Sequence, residues 1–279
     1  MRTTLRTPNN ENKAMMRSTL ALLTLCALLA ANAHAQGSRP ADIPRLANGK
    51  PNFSGVWQSL TTANWNVLTH GASAGPPEYG ALLATPPGYG IVDGDEIPYL
   101  TAAAEQQQRN YENRFKEDPE VKCYMPGVPR ANYMPYPLQI FHSDSQLLFT
   151  YQFAGAARII NLGAPQPSAI DSWMGVSNAR WDGDTLVVDV SGFNGQAWLD
   201  RAGNHAGPAL HVVERYTLVG ADAIDYSATL EDPQTFSKPW TMRFRLNRNP
   251  DSHAHLMEYK CVPFTEELLY GDLYKRPKQ

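Results

Sequence analysis

The chain has 279 residues, 24 Lys+Arg against 27 Asp+Glu, 43% hydrophobic and 18% charged residues. That composition excludes a disordered, collagen-like or coiled-coil chain. A pI near 6.2 argues against nucleic acid as the main partner, because phosphate binding needs a basic surface.

Residues 1–35 read as a secretory signal peptide. Lys13 and Arg17 precede the apolar run 20–31, and Ala33-His34-Ala35 forms an A-x-A cleavage site before Gln36. The run is shorter than the roughly 20 residues of a membrane-spanning helix, and Met15 or Met16 would give a more compact start. Leu25 before Cys26 is too bulky for a lipobox. A periplasmic or secreted protein without integral membrane association is expected. Cleavage would remove four basic residues and one acidic residue, leaving 20 against 26 and a net charge of −6. Two cysteines would remain, Cys123 and Cys261. In an exported chain an even count makes a disulfide the default expectation, with two buried free thiols as the rival.

Residues 36–98 are crowded with turn formers, among them Asn48-Gly49-Lys50-Pro51, Pro86-Pro87-Gly88 and Asp93-Gly94-Asp95. They also carry Phe53, Trp57, Trp65, Tyr79 and Tyr89, too many aromatics for a solvated linker. The expectation is an ordered, irregular arm that wraps the rest of the chain. A helix is predicted over 101–116, with Thr101 as N-cap and Asp118-Pro119 as its stop. Leu100, Ala104, Tyr111 and Phe115 share one face, and Gln106 to Arg109 read as solvent surface.

From Tyr136 the period changes to two. Leu147, Phe149, Tyr151 and Phe153 alternate with polar or smaller neighbours, as do Trp240, Met242, Phe244 and Leu246. Further strands are predicted at 156–162, 184–190, 209–218, 224–230 and 255–262. Trp181-Asp182-Gly183-Asp184 reads as a hairpin with a type I′ turn. Strands joined by short turns imply a mainly β protein. Its antiparallel sheet would close into a lipocalin-like barrel or form a sandwich, with an irregular N-terminal arm and one helix. The organisation is then 1–35 signal peptide, 36–120 arm plus helix, and 121–279 antiparallel β domain, the last two forming one structural unit.

Several stretches carry a resemblance. They are Gly49-Lys-Pro-Asn-Phe-Ser-Gly-Val-Trp57, Lys122-Cys-Tyr-Met-Pro-Gly-Val-Pro-Arg130, Trp181-Asp-Gly-Asp-Thr-Leu-Val-Val-Asp-Val-Ser-Gly-Phe-Asn194, Trp198-Leu-Asp-Arg-Ala-Gly-Asn-His205 and Leu210-His-Val-Val-Glu-Arg-Tyr216. In their order the chain resembles a family of secreted or periplasmic bacterial proteins. The resemblance implies export and a single unit; it implies nothing about substrate or mechanism.

The densest polar cluster runs from Asp200 through Arg201, Asn204, His205 and His211 to Glu214 and Arg215. Histidines beside carboxylates can serve as general acid and base near neutral pH, and Arg201 could hold an anionic group. Asp200, Arg201, His205, His211 and Glu214 are therefore the candidate catalytic residues. Strand alternation sets a limit: His211 and Glu214 face opposite ways unless a bulge intervenes. Tyr136, Trp173 and Trp198 are candidate ligand-binding residues of an aromatic cavity. A metal reading would combine His205 and His211 with His253 and His255, but no strict metal motif is present, and no metal is expected. There is no phosphate-binding loop, dinucleotide fingerprint or G-x-S-x-G elbow, so no cofactor is expected. Two functions follow as expectations. One is an exported, cofactor-free lyase, isomerase or hydrolase using His/carboxylate chemistry on a small, largely apolar or aromatic molecule. The other is a non-catalytic periplasmic protein that binds such a molecule.

Overall fold

Nine strands close into a barrel in a computed structural model that describes residues 43–77 and 83–270. They are β1 (Gly55–Ser59), β2 (Leu138–His142), β3 (Gln146–Tyr151), β4 (Ala157–Asn161), β5 (Val176–Asp182), β6 (Thr185–Ser191), β7 (His211–Leu218), β8 (Ala223–Glu231) and β9 (Trp240–Arg248). Among the described residues two α-helices accompany them, α1 (Thr101–Glu117) and the short α2 (Thr265–Tyr270). The described residues, which begin at Ile43, form one compact unit. The expected signal peptide and the first residues of the arm lie outside the described residues.

The strands follow one another around the barrel in chain order. Every neighbouring pair is antiparallel except β4 and β5, which run parallel through Ile160–Ser177 and Asn161–Asn178. A parallel pair needs a long crossover, and residues 162–175 supply it. β1 pairs with β9 through Trp57–Arg248 and Ser59–Leu246, which closes the ring and excludes the sandwich. This stave comes from the arm, in a segment that reads as irregular. At five residues with burial on consecutive positions Val56 and Trp57, it carries too little alternation to announce itself.

Alternation explains the interior. Val212, Glu214, Tyr216 and Leu218 of β7 point inward, as do Ile224, Tyr226, Ala228 and Leu230 of β8, while His211, Val213 and Arg215 face out. Rings then pack against one another in the lumen: Phe149 edge-on to Tyr216 at 5.6 Å, Tyr216 edge-on to Tyr226 at 4.9 Å, and Tyr226 tilted against Phe244 at 4.5 Å. Each such buried side chain contributes about 1.5–3 kcal/mol. The lumen is packed with side chains rather than open as in a ligand-carrying barrel.

Four local expectations are corrected. The predicted strand at 255–262 is irregular chain, held by the Cys123–Cys261 disulfide. The β5–β6 turn is Gly183-Asp184, closed by the Asp182–Thr185 pair, with positive φ at Gly183 (60°) but not at Asp184. That is the II′ pattern rather than I′. Helix α1 begins after an extended Leu100 with no side-chain cap, so Thr101 is not its N-cap. It also docks by its polar side. Ala103 and Asn110 are buried, whereas Tyr111 is 41% exposed. Gln107 Nε2 donates to Ala202 O at 2.7 Å and Asn110 Nδ2 to Gly203 O at 3.1 Å. The surface beneath the helix is a loop presenting backbone carbonyls, which amide side chains satisfy and apolar ones cannot.

Candidate functional site

One end of the barrel is covered by a polar cap built from the arm (64–67), the turn after α1 (118–123), a 3-10 turn (Arg130–Asn132) and the 199–205 loop. Arg130, 1% exposed, is its centre. Its Nη1 and Nη2 donate to the two oxygens of Asp118 at 2.9 and 3.0 Å. Nη2 also reaches Glu120 Oε2 at 2.7 Å, and Nε donates to Asn64 Oδ1 at 2.9 Å. A buried guanidinium is tolerable only when paired in this way. Burial alone would raise Glu120, but the guanidiniums of Arg201 and Arg130 override it and hold this carboxylate at about 2.

Asp200 is fully buried beside them. It accepts from the backbone N–H of Val67 (2.8 Å), Ala202 (2.9 Å) and Asn204 (3.1 Å), and from Asn204 Nδ2 (2.7 Å). Those four donors favour the carboxylate, yet burial outweighs them and pushes Asp200 up to about 6. The loop it ties down delivers Arg201. Nε and Nη2 of Arg201 donate to Glu120 at 2.8 and 2.7 Å, and its guanidinium lies 4.4 Å from the centre of the Trp65 ring.

Arg201 borders two adjoining cavities. One, of about 130 Å³, lies between Trp65, Asn66, His70, Tyr111, Arg114 and Phe115. The other, of about 230 Å³, is walled by Phe115, Lys116, Tyr136, Phe153, Tyr259 and Phe264. Leu83, Phe115, Val121 and Arg201 belong to both, so the two read as one groove. The Tyr136 ring packs at a tilt against Phe153 at 5.6 Å and Tyr259 at 5.0 Å. The disulfide sets the far wall by fastening Cys261 to Cys123, and Phe264 N donates to Val121 O at 2.8 Å. A shallower depression of about 700 Å³ on the outer barrel wall is bordered by Arg215, Arg243 and Arg245. Each of those is already matched, by Asp182, Asp93 and Asp225 respectively, in exposed pairs of small energetic weight.

The eight candidate residues scatter. Arg201 and Tyr136 meet in the groove. Asp200 is sealed beneath it. Glu214 lies inside the barrel, ion-paired with Arg158 and fully buried. Its Oε1 also accepts from Asn132 Nδ2 (3.0 Å), Tyr216 OH (2.8 Å) and Tyr226 OH (2.8 Å). His211 is on the outer wall, with Nε2 3.0 Å from Asp189 Oδ2. The opposed facing of His211 and Glu214 is as alternation requires. His205 packs edge-on to Tyr99 at 5.6 Å, where burial lowers its pKa. It and Trp198 border a separate open hollow, and Trp173 and Trp198 border a narrow crevice of about 10 Å³. Among the described residues no group of three or more His, Cys, Asp or Glu side chains is placed to hold a metal, and no helix is long and apolar enough to cross a membrane.

Sequence reasoning missed Asp118, Glu120 and Arg130, and it missed the wall made by Arg114, Tyr259 and Phe264. One signal was there for Arg130: a lone charge in Met125-Pro-Gly-Val-Pro-Arg-Ala-Asn-Tyr-Met134 is buried and paired if the segment is core. Scans of the chain against protein-family models and against curated proteins match nothing. The chemistry of the groove therefore stands on its own geometry.

Proposed function

We propose that the protein is a periplasmic or secreted binding protein that takes a small, largely aromatic molecule in the groove beside Arg201, without a cofactor. The observation carrying this reading is the meeting of Trp65, Tyr111, Phe115, Tyr136, Phe153 and Tyr259 around two adjoining cavities. Together these cavities are near the lower end of ligand pockets, roughly 300 Å³. Aromatic walls supply apolar area and offset stacking.

Binding is favoured over catalysis because the titratable groups do not converge. Glu214 and Asp200 are enclosed, and His205 and His211 lie elsewhere. One observation favours the enzymatic reading: Asp200, at about 6, is a carboxyl able to exchange a proton near neutral pH, one residue from Arg201. That reading requires turnover of a substrate that disappears in Asp200→Asn while ligand affinity persists.

The test is a thermal-shift and native mass spectrometry screen of small aromatic compounds. Hits are followed by tryptophan fluorescence in wild type, Trp65→Leu and Phe115→Ala. Hits should lose tenfold or more in affinity in both variants while the far-UV spectrum is unchanged. Hits that bind both variants as tightly as wild type would place the ligand elsewhere.

A further inference from the structure

We infer that the groove's ligand carries a carboxylate, recognised by Arg114; this rests on the binding function proposed above. Arg114 sits in the last turn of α1 and borders the smaller cavity with Arg201 and Trp65. Its guanidinium carbon lies 3.9 Å from the centre of the Tyr111 ring and 4.2 Å from that of Phe115. Its Nη1 donates to Tyr111 O at 2.6 Å. Among the described residues no carboxylate stands within ion-pair distance of it.

The other charges of the groove are matched. Both oxygens of Asp118 are taken by Arg130, and Glu120 is shared by Arg130 and Arg201. Arg114 and Lys116 are thus the surplus on this surface, in a chain whose overall balance is acidic. Stacking engages the faces of a guanidinium and leaves its in-plane N–H groups directed outward. A planar carboxylate accepts two of these in parallel, at a strength above that of a neutral hydrogen bond. The ring attached to it would lie against Trp65 and Phe115. The size of the groove favours a one- or two-ring acid.

The experiment pairs acids with neutral isosteres: benzoate with benzyl alcohol, and 2-naphthoate with 2-naphthalenemethanol. Titrations use wild type, Arg114→Gln and Arg114→Lys. In wild type the acid should bind at least tenfold tighter than its alcohol, and this preference should shrink as salt rises. Arg114→Gln should abolish the preference, weakening acid binding far more than alcohol binding. Arg114→Lys keeps the charge at the helix end but loses the fork, and should retain only part of the preference. Equal binding of acid and alcohol to wild type, or a preference unchanged in Arg114→Gln, overturns the carboxylate inference and leaves the groove standing. Binding of none of the four probes overturns both.

Discussion

Gly203 presses against Asn110: a Cβ added to Gly203 would fall 2.8 Å from Asn110 Cβ, and 2.7 Å from the backbone nitrogen of Tyr111. The loop that carries Arg201 and the helix that carries Arg114 are thereby in backbone contact, so the two sides of the groove are set by one close approach. Gly203 also holds φ at +82°, which L side chains adopt at a cost. Gly203→Ala should destabilise by about 2 kcal/mol or more, combining strain with displacement of α1. Gly183→Ala is the control. It has φ +60° but nothing within 4 Å, so only the backbone cost of about 1 kcal/mol is expected. Urea denaturation of the two variants separates the effects, and equal losses would mean that the close approach is easily relieved.

The Arg158–Glu214 pair inside the barrel should behave as a unit. Arg158→Met leaves a buried carboxylate and should cost about 3–5 kcal/mol. Glu214→Gln leaves a buried guanidinium and should cost a similar amount. The double variant should lose clearly less than the two single losses combined, because neither charge is then unmatched. Additive losses in a urea-denaturation cycle would contradict the pairing.

Two buried carboxyls should make opposite contributions to the pH dependence of stability. Asp200, at about 6 in the fold, keeps its proton where an unfolded aspartate, titrating near 4, has released it. Folding binds that proton, so stability falls as pH rises between about 4 and 6. Glu120, held at about 2, acts in the other direction. Its contribution is present above about pH 4.3 and is lost as pH falls toward 2. Each shift corresponds to about 3 kcal/mol. Urea midpoints from pH 2 to 7 test this, and Asp200→Asn should flatten the limb between 4 and 6. A midpoint that climbs steadily from pH 4 to 6 in wild type and variant alike would refute the role of Asp200.

Removing the disulfide should affect stability and binding together. Cys123 and Cys261 are 138 residues apart, and closing so long a loop contributes on the order of 4–5 kcal/mol in the chain-entropy model, an upper figure. Cys261→Ser should also release the wall bearing Tyr259 and Phe264. Ligand affinity should therefore fall under conditions where the variant is still fully folded by circular dichroism. Unchanged affinity in that folded variant would remove the 259–264 segment from the groove.

The barrel was legible because its inward side chains alternate over long stretches. Strands β3, β7, β8 and β9 each show period-two burial, and the short turns between neighbours imply antiparallel order. The docking of α1 was hidden because amide-to-carbonyl contacts leave no hydrophobic period; Gln107 looks like a solvent residue until Ala202 O is placed beneath it. Proximity in sequence misled at the site. Asp200 to Arg215 is one run of charge, but it passes from the cap loop into β7, whose pleat sends Glu214 inward and His211 outward. Arg201 instead meets Glu120 and Tyr136, which are far away in sequence and adjacent only once the cap is folded.

The pairing of Trp57 with Arg248 governs when the barrel can assemble. Its earliest stave in the chain is completed only by its latest, so no ring exists until residue 248 is free to pair. Contacts of such long sequence separation make folding slow, and the disulfide partner Cys261 comes later still. A chain of this topology emerges from synthesis without a closed core. The ring stays open until its last strand is free to pair.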